Sequence, residues 1–321
     1  MMKMSGPLKR EGPPRRDAMG RYLIVFLVVA FCAGCITTGY VREGLEQMRQ
    51  SRPDQAISLF SKAIEDNPNR AEAYYHRGNA YGIKHDLDKA IDDFSTAIEL
   101  DPLFLDAYIG RATAFNQKGE IQKALSDFAK AIEISPKGLV AYLKRGIVLY
   151  EQGELDAAAD DFTRVIEDQP LSASVAYYHR GMILKKKGQL LQALADLSRV
   201  IDIEPGLTKA YAARGDLYFE LGEYDKAIDD AGRMLSVFPL EMRAFVLRGD
   251  AWKAKGDLAR ALKDYERALS IDPEFAAALE KKGMALLETG DVTGACQAFA
   301  QACRTEDCSE TAKSLRQQHC P

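Results

Sequence analysis

Residues 71–102 read AEAYYHRGNAYGIKHDLDKAIDDFSTAIELDP, and the features of this stretch return in the same order along most of the chain. Its closing Pro102 has counterparts at Pro68, Pro136, Pro170, Pro205, Pro239 and Pro273, spaced by 34 residues with a single step of 35. Gly78 is matched by Ala112, Gly146, Gly181, Gly215, Gly249 and Gly283, and four places before these stand Tyr74, Tyr108, Tyr142, Tyr177, Tyr211, Phe245 and Leu279. A fixed period of this length marks a stack of similar supersecondary units, none of which can bury its apolar face alone.

Inside each period two segments of about a dozen residues carry apolar side chains at three- and four-residue steps, the spacing of amphipathic helices. The small residue at the Gly78 position lets helix A and helix B approach closely. Gly119, Gly153, Gly188, Gly222, Gly256 and Gly290 stand where helix A must stop, a place suited to left-handed backbone, and His85 takes that place in 71–104. The proline follows helix B and prevents its continuation.

The second segment repeats Ala90/Phe94/Ala97 as Ala124/Phe128/Ala131, Ala158/Phe162/Val165 and Ala261/Tyr265/Ala268. With the Tyr-x3-Gly pattern of the first segment, this resembles the tetratricopeptide-repeat family. The resemblance is strong over 71–309, and 37–70 is a weaker copy that keeps Tyr40, Gly44, Ala56, Phe60, Ala63 and Pro68. It implies an all-α fold, a right-handed superhelical solenoid of about eight helix-turn-helix repeats. The expected repeats are 37–70, 71–104, 105–138, 139–173, 174–207, 208–241, 242–275 and 276–309, followed by a C-terminal capping helix in 310–321.

Function in this family sits on the concave face, lined by fixed positions of helix A. Carried onto this sequence, those positions give Tyr75, Asn79, Ile109, Thr113, Asn116, Leu143, Ile147, Tyr150, Tyr178, Met182, Lys185, Lys186, Asp216, Phe219, Arg243, Val246 and Asp250. Leu143, Ile147, Tyr150, Tyr178, Met182 and Phe219 are then expected to face solvent as an apolar patch that receives an extended or helical segment of a partner. Some relatives clamp a terminal carboxylate with Lys and Asn at two of these positions. Only Asn79 matches that pattern here, so apolar anchoring with polar rims is the expected mode.

A row of basic residues precedes the small positions: Arg77, Arg111, Arg145, Arg180, Arg214, Arg248 and Lys282. Sixteen places later stand Asp93, Asp127, Asp161, Asp196, Asp230 and Asp264, but Ala298 follows Lys282, and Leu59 follows Glu43 in the first copy. The two positions change together, which predicts Arg–Asp pairs between helices A and B and argues against an anion-binding track.

The N-terminus has a different character. Residues 1–34 hold six basic and two acidic side chains, so the remainder is more acidic than the −4 of the whole chain, and nucleic acid is not an expected partner. Residues 22–33 (YLIVFLVVAFCA) are uncharged and too few for a membrane-spanning helix, as in a signal peptide. The ending Cys32-Ala33-Gly34-Cys35 resembles the lipobox of bacterial lipoproteins, with Cys32 where an aliphatic residue is usual. That resemblance implies a signal peptide in 1–34, a lipidated N-terminus in 35–36 with the acyl groups on Cys35, and Ile36 in a position that favours the periplasmic face of the outer membrane. Cleavage without lipid and an uncleaved short anchor are the alternatives.

The other cysteines, Cys296, Cys303, Cys308 and Cys320, cluster at the end of the chain. In an exported protein they suggest two disulfides with three possible connectivities, of which Cys303–Cys308 with Cys296–Cys320 is the nested choice. Their C-x6-C-x4-C-x11-C spacing does not suit zinc. No Gly-rich phosphate loop, HExxH or GxSxG motif occurs, so no catalytic residue, cofactor, metal or small-molecule substrate is expected. The expected function is a membrane-anchored scaffold that binds a protein or peptide segment. The alternative is a structural part or assembly chaperone of a secretion, pilus or outer-membrane complex.

Overall fold

A computed structural model describes residues 39–304 and 308–320. The expected signal peptide in 1–34 and the lipid-site candidate Cys35 lie outside the described residues. Helices, and no strand, form the described residues. Residues 39–49 form α1, followed by α2 (Pro53–Asp66), α3 (Ala71–Ile83), α4 (Leu87–Leu100), α5 (Leu105–Gln117) and α6 (Ile121–Ile134). Then come α7 (Leu139–Glu151), α8 (Leu155–Asp168), α9 (Ser174–Lys186), α10 (Leu190–Ile203), α11 (Thr208–Glu220) and α12 (Tyr224–Val237). The chain ends with α13 (Met242–Ala254), α14 (Leu258–Ile271), α15 (Ala276–Thr289), α16 (Val292–Ala302) and α17 (Glu310–His319). Two compact units divide the described residues, one ending at Ala141 and the other beginning at Tyr142.

Within each unit a helix touches its neighbours in the chain, and odd-numbered helices also touch the next odd-numbered one. The layer between them is set by side-chain size. Phe60, Phe128, Phe162, Tyr265 and Phe299 on the even-numbered helices are fully buried, and they press on the small residues of the odd-numbered ones. At Gly249 a Cβ would stand 2.6 Å from Cε1 of Tyr265, so any larger residue would push the hairpin apart. The turn after α3 needs left-handed backbone, and His85 adopts it at φ 59° where Gly119 and Gly153 have φ of 78° and 82° in the turns after α5 and α7.

Two polar ladders hold successive helices. Arg77, Arg111, Arg145, Arg180, Arg214 and Arg248 each fork onto the aspartate sixteen residues later, with Nε and Nη2 donating to the two carboxylate oxygens at 2.7–2.9 Å. The carboxylate hydrogen bond holds each guanidinium above its ordinary pKa. Lys282, which faces Ala298 in that register, pairs with Glu266 at 3.0 Å instead. The second ladder joins Lys84 to Asp54, Lys118 to Asp88, Lys187 to Asp156 and Lys255 to Asp225. Each lysine stands just past the C-terminus of an odd-numbered helix and each aspartate in the first turn of an even-numbered one, so both charges also suit the helix dipoles.

At the far end of the second unit, α17 folds over α16. The Ser309 hydroxyl accepts from the Ala312 amide at 3.0 Å to start the helix, and Ala312 is buried against Ala295 and Phe299. Cys296 is bonded to Cys320, and Cys303 to Cys308.

Candidate functional site

The expected binding residues gather most closely on α9, α11 and α13. There, Lys185, Phe219, Arg243 and Asp250, together with Asp216 and Val246, line an open cleft of about 660 Å³. α9, α11 and α13 run side by side, so the outward edge of each offers one stripe to a common surface. Met242, Leu247 and Phe275 complete the apolar lining with Phe219 and Val246.

Both cations of the cleft are already paired within it. Arg243 Nη2 donates to Asp216 at 2.7 Å, and Lys185 pairs with Glu220 at 2.6 Å. Asp250 accepts from the Tyr265 hydroxyl at 2.7 Å and pairs with Lys281 at 3.3 Å. The hydroxyl explains Asp250. The corresponding core residue is Phe in α2, α4, α6, α8 and α16, but a fully buried Tyr265 needs an acceptor, and Asp250 supplies it from one turn of α13. Burial, then the nearby Asp250 carboxylate, pushes the Tyr265 pKa upward, so the hydroxyl stays a donor. Apolar side chains with paired charges at the rim suit a polypeptide segment that anchors by apolar residues and flanks them with polar ones.

The residues expected to form an apolar patch are not openly exposed. Leu143, Ile147, Tyr150, Tyr178, Met182 and Phe219 are all half-buried. The cause is lateral packing: Tyr178 and Met182 lean on a cluster of Leu197, Ala213 and Leu217. Tyr178 and Tyr150 meet His179 edge-on at 5.6 and 5.3 Å, and Lys209 and Lys186 sit 4.6 Å over their respective rings. Some of the large apolar residues that are openly exposed, Leu103, Leu171, Phe238 and Leu240 among them, lie in the turns around the prolines. In the first unit Tyr75 packs on Phe94 and Phe104 with ring centres 6.0 and 5.0 Å apart, and burial raises its pKa against a hydrogen bond with Asn79. Ile109 belongs to the same apolar cluster, and Asn116 is half-buried on the following turns of α5.

Helix-A positions alone could not find Glu241, Met242 or Phe275, whereas Glu220 stands in the register of Lys186. Phe275 had a signal, because it stands two residues after Pro273 as Phe104 stands after Pro102 and Leu207 after Pro205. Among the described residues no group of His, Cys, Asp and Glu is arranged to hold a metal ion, and no helix is long and apolar enough to cross a membrane.

Comparison with known proteins agrees with the repeat geometry. Tetratricopeptide-repeat families match residues 71–104, 105–137, 143–208, 212–274 and 253–307, and a further repeat family of the same kind matches 44–82. Among curated proteins none matches the chain. A tetratricopeptide repeat protein from Parabacteroides merdae is similar in structure, with TM-score 0.57 and 20% identity over 78% of this chain and 99% of that one. PilF of Pseudomonas aeruginosa aligns with TM-score 0.58 and 19% identity over 67% of this chain and 97% of its own. The C-terminal part of a repeat protein from Cytophaga hutchinsonii gives 0.62 and 16% over 75% and 98%. At these identities the likeness is one of fold.

Proposed function

Because the chain belongs to the tetratricopeptide-repeat family, we propose that it is a protein-binding scaffold of the cell envelope, lipid-anchored through Cys35, that grips a polypeptide segment in the cleft along α9, α11 and α13. One observation carries the binding reading: Phe219, Met242, Val246 and Phe275 line a cleft whose two cations, Lys185 and Arg243, are paired in advance. A segment with apolar anchors buries surface there without stranding Lys185 or Arg243. The uncharged run at 22–33 and the Ala33-Gly34-Cys35 ending support the anchor, and Ile36 supports the outer membrane.

A photo-reactive residue placed at Val246 should crosslink one polypeptide in cells, while the same residue at Val175, exposed outside the cleft, should not. Equal products from both positions, or none from Val246, would reject the cleft as the binding site. The anchor has its own test: labelled fatty acid should enter the wild-type chain and not the Cys35→Ser variant. Stoichiometric co-purification of the crosslinked partner would favour a fixed structural assembly over a transient adaptor.

A further inference from the structure

Arg248 and Arg145 depart from the pattern of their counterparts. Four other guanidiniums in the ladder use Nη1 on a hydroxyl of the preceding even-numbered helix: Arg77 on Ser61, Arg111 on Ser95, Arg180 on Thr163 and Arg214 on Ser198, all at 3.0–3.1 Å. The residue in that register is Ala129 before Arg145 and Gly232 before Arg248, and only at Gly232 is there no side chain at all. Arg248 keeps its fork on Asp264 at 2.8 and 2.7 Å, but Nη1 makes no hydrogen bond among the described residues.

Packing does not demand this glycine. Gly232 lies inside α12, its φ is not positive, and an added Cβ would meet nothing within 4 Å. A glycine inside a helix costs about 0.5–1 kcal/mol relative to alanine. Gly232 lines a cleft of about 740 Å³ between α12 and α14, with Arg248 and Trp252 from α13 also in its lining. Around 100° per residue separates helix positions, so residues 248 and 252 face away from residues 243, 246 and 250. This cleft is therefore separate from the groove described above.

Its electrostatics favour an anion. Arg233 and Lys263 are exposed at its edge and make no ion pair among the described residues, while Arg260 lies 3.7 Å over the Trp252 ring and is matched by Asp257. Of the two acids in the lining, Asp264 is neutralised by Arg248, which leaves Asp229. We infer that this cleft binds a carboxylate of an acidic polypeptide segment, one oxygen accepting from Arg248 Nη1 where four other repeats supply a hydroxyl oxygen. Arg233 and Lys263 then draw in further acidic residues of the same segment. The Asp229 carboxylate disfavours a doubly charged phosphate more than a singly charged carboxylate.

Trp252 is the only tryptophan of the chain, so its fluorescence reports on this cleft alone. Titration of the full-length chain with a terminally blocked hexaglutamate peptide at low salt should give a saturable change in emission, and a hexalysine peptide should give none. Gly232→Ser installs the hydroxyl that the preceding repeat carries at Ser198, in a place with room for it, and should weaken hexaglutamate binding about tenfold. Lys263→Glu should weaken it as much, with unchanged melting curves showing that both variants are folded. A silent tryptophan, an unaltered affinity in Gly232→Ser, or saturation by inorganic phosphate as tight as by the peptide would each overturn the assignment.

Discussion

The half-buried histidines show how the repeat environment acts on single residues. His76 and His179 stack on Phe60 and Phe162 with ring centres 5.6 and 5.4 Å apart, and Nδ1 of His179 is buried without a partner. Burial holds both pKa values below the free value of about 6.5, and Lys209 adds to the effect at His179. As pH falls past about 6.5 the unfolded chain takes up these protons before the folded one does. Their contribution to stability is thus complete above that pH and is lost progressively below it. Melting temperature should fall between about pH 6.5 and 5, and His76→Gln with His179→Gln should flatten that limb in thermal melts across the range. The Arg–Asp fork gives a second test. The Asp161 side chain is 6% exposed against 26% for Arg145, so Asp161→Ala leaves a guanidinium with little water to replace its partner. The loss should be about 3 kcal/mol by chemical denaturation. Adding Arg145→Ala should recover part of it, and a double variant less stable than Asp161→Ala would exclude the fork as the cause.

At the scale of the helix and its turns, sequence spacing was most informative where one residue type meets one backbone demand. The turn after α3 shows the cost of an exception: His85 holds φ 59° without being a glycine. His85→Gly should stabilise the chain by up to about 1 kcal/mol, read as a higher denaturant midpoint, because left-handed backbone penalises a Cβ. The Arg–Asp register was legible for a related reason, since both partners change together at 43/59 and 282/298. The state of the binding surface was not legible. Helical period gives the direction of Tyr178 or Met182 from its own axis, but not how far the next odd-numbered helix leans across it, and that lean makes them half-buried. The lysine ladder from Lys84 to Asp54 was equally hidden, because both residues look like ordinary solvated charges until two hairpins stack. Gly232 is the opposite case: its significance depends on a hydroxyl that other repeats have and it lacks, and only the bonds of Arg77, Arg111, Arg180 and Arg214 reveal what that hydroxyl does.

For the molecule as a whole, the decisive property is that contacts are local in each unit. Every helix there touches chain neighbours or the next odd-numbered helix, so stability is close to a sum of hairpin terms and nearest-neighbour terms. Damage at one end should then stay at that end. The end of the second unit tests this, because the apolar face of Ala295 and Phe299 is covered by α17, which Cys296–Cys320 ties across a sequence separation of 24. Closing a loop of that size contributes about 3 kcal/mol by restricting the unfolded chain. Peptide mapping without reductant should recover Cys296–Cys320 and Cys303–Cys308, and four free thiols would remove the premise. With the bonds present, reduction should speed amide hydrogen exchange in α16 and α17 at least about tenfold while α3 to α5 keep their protection. Loss of protection in α3 to α5 on reduction would mean that the chain unfolds as one cooperative block, and the nearest-neighbour account would fall with it.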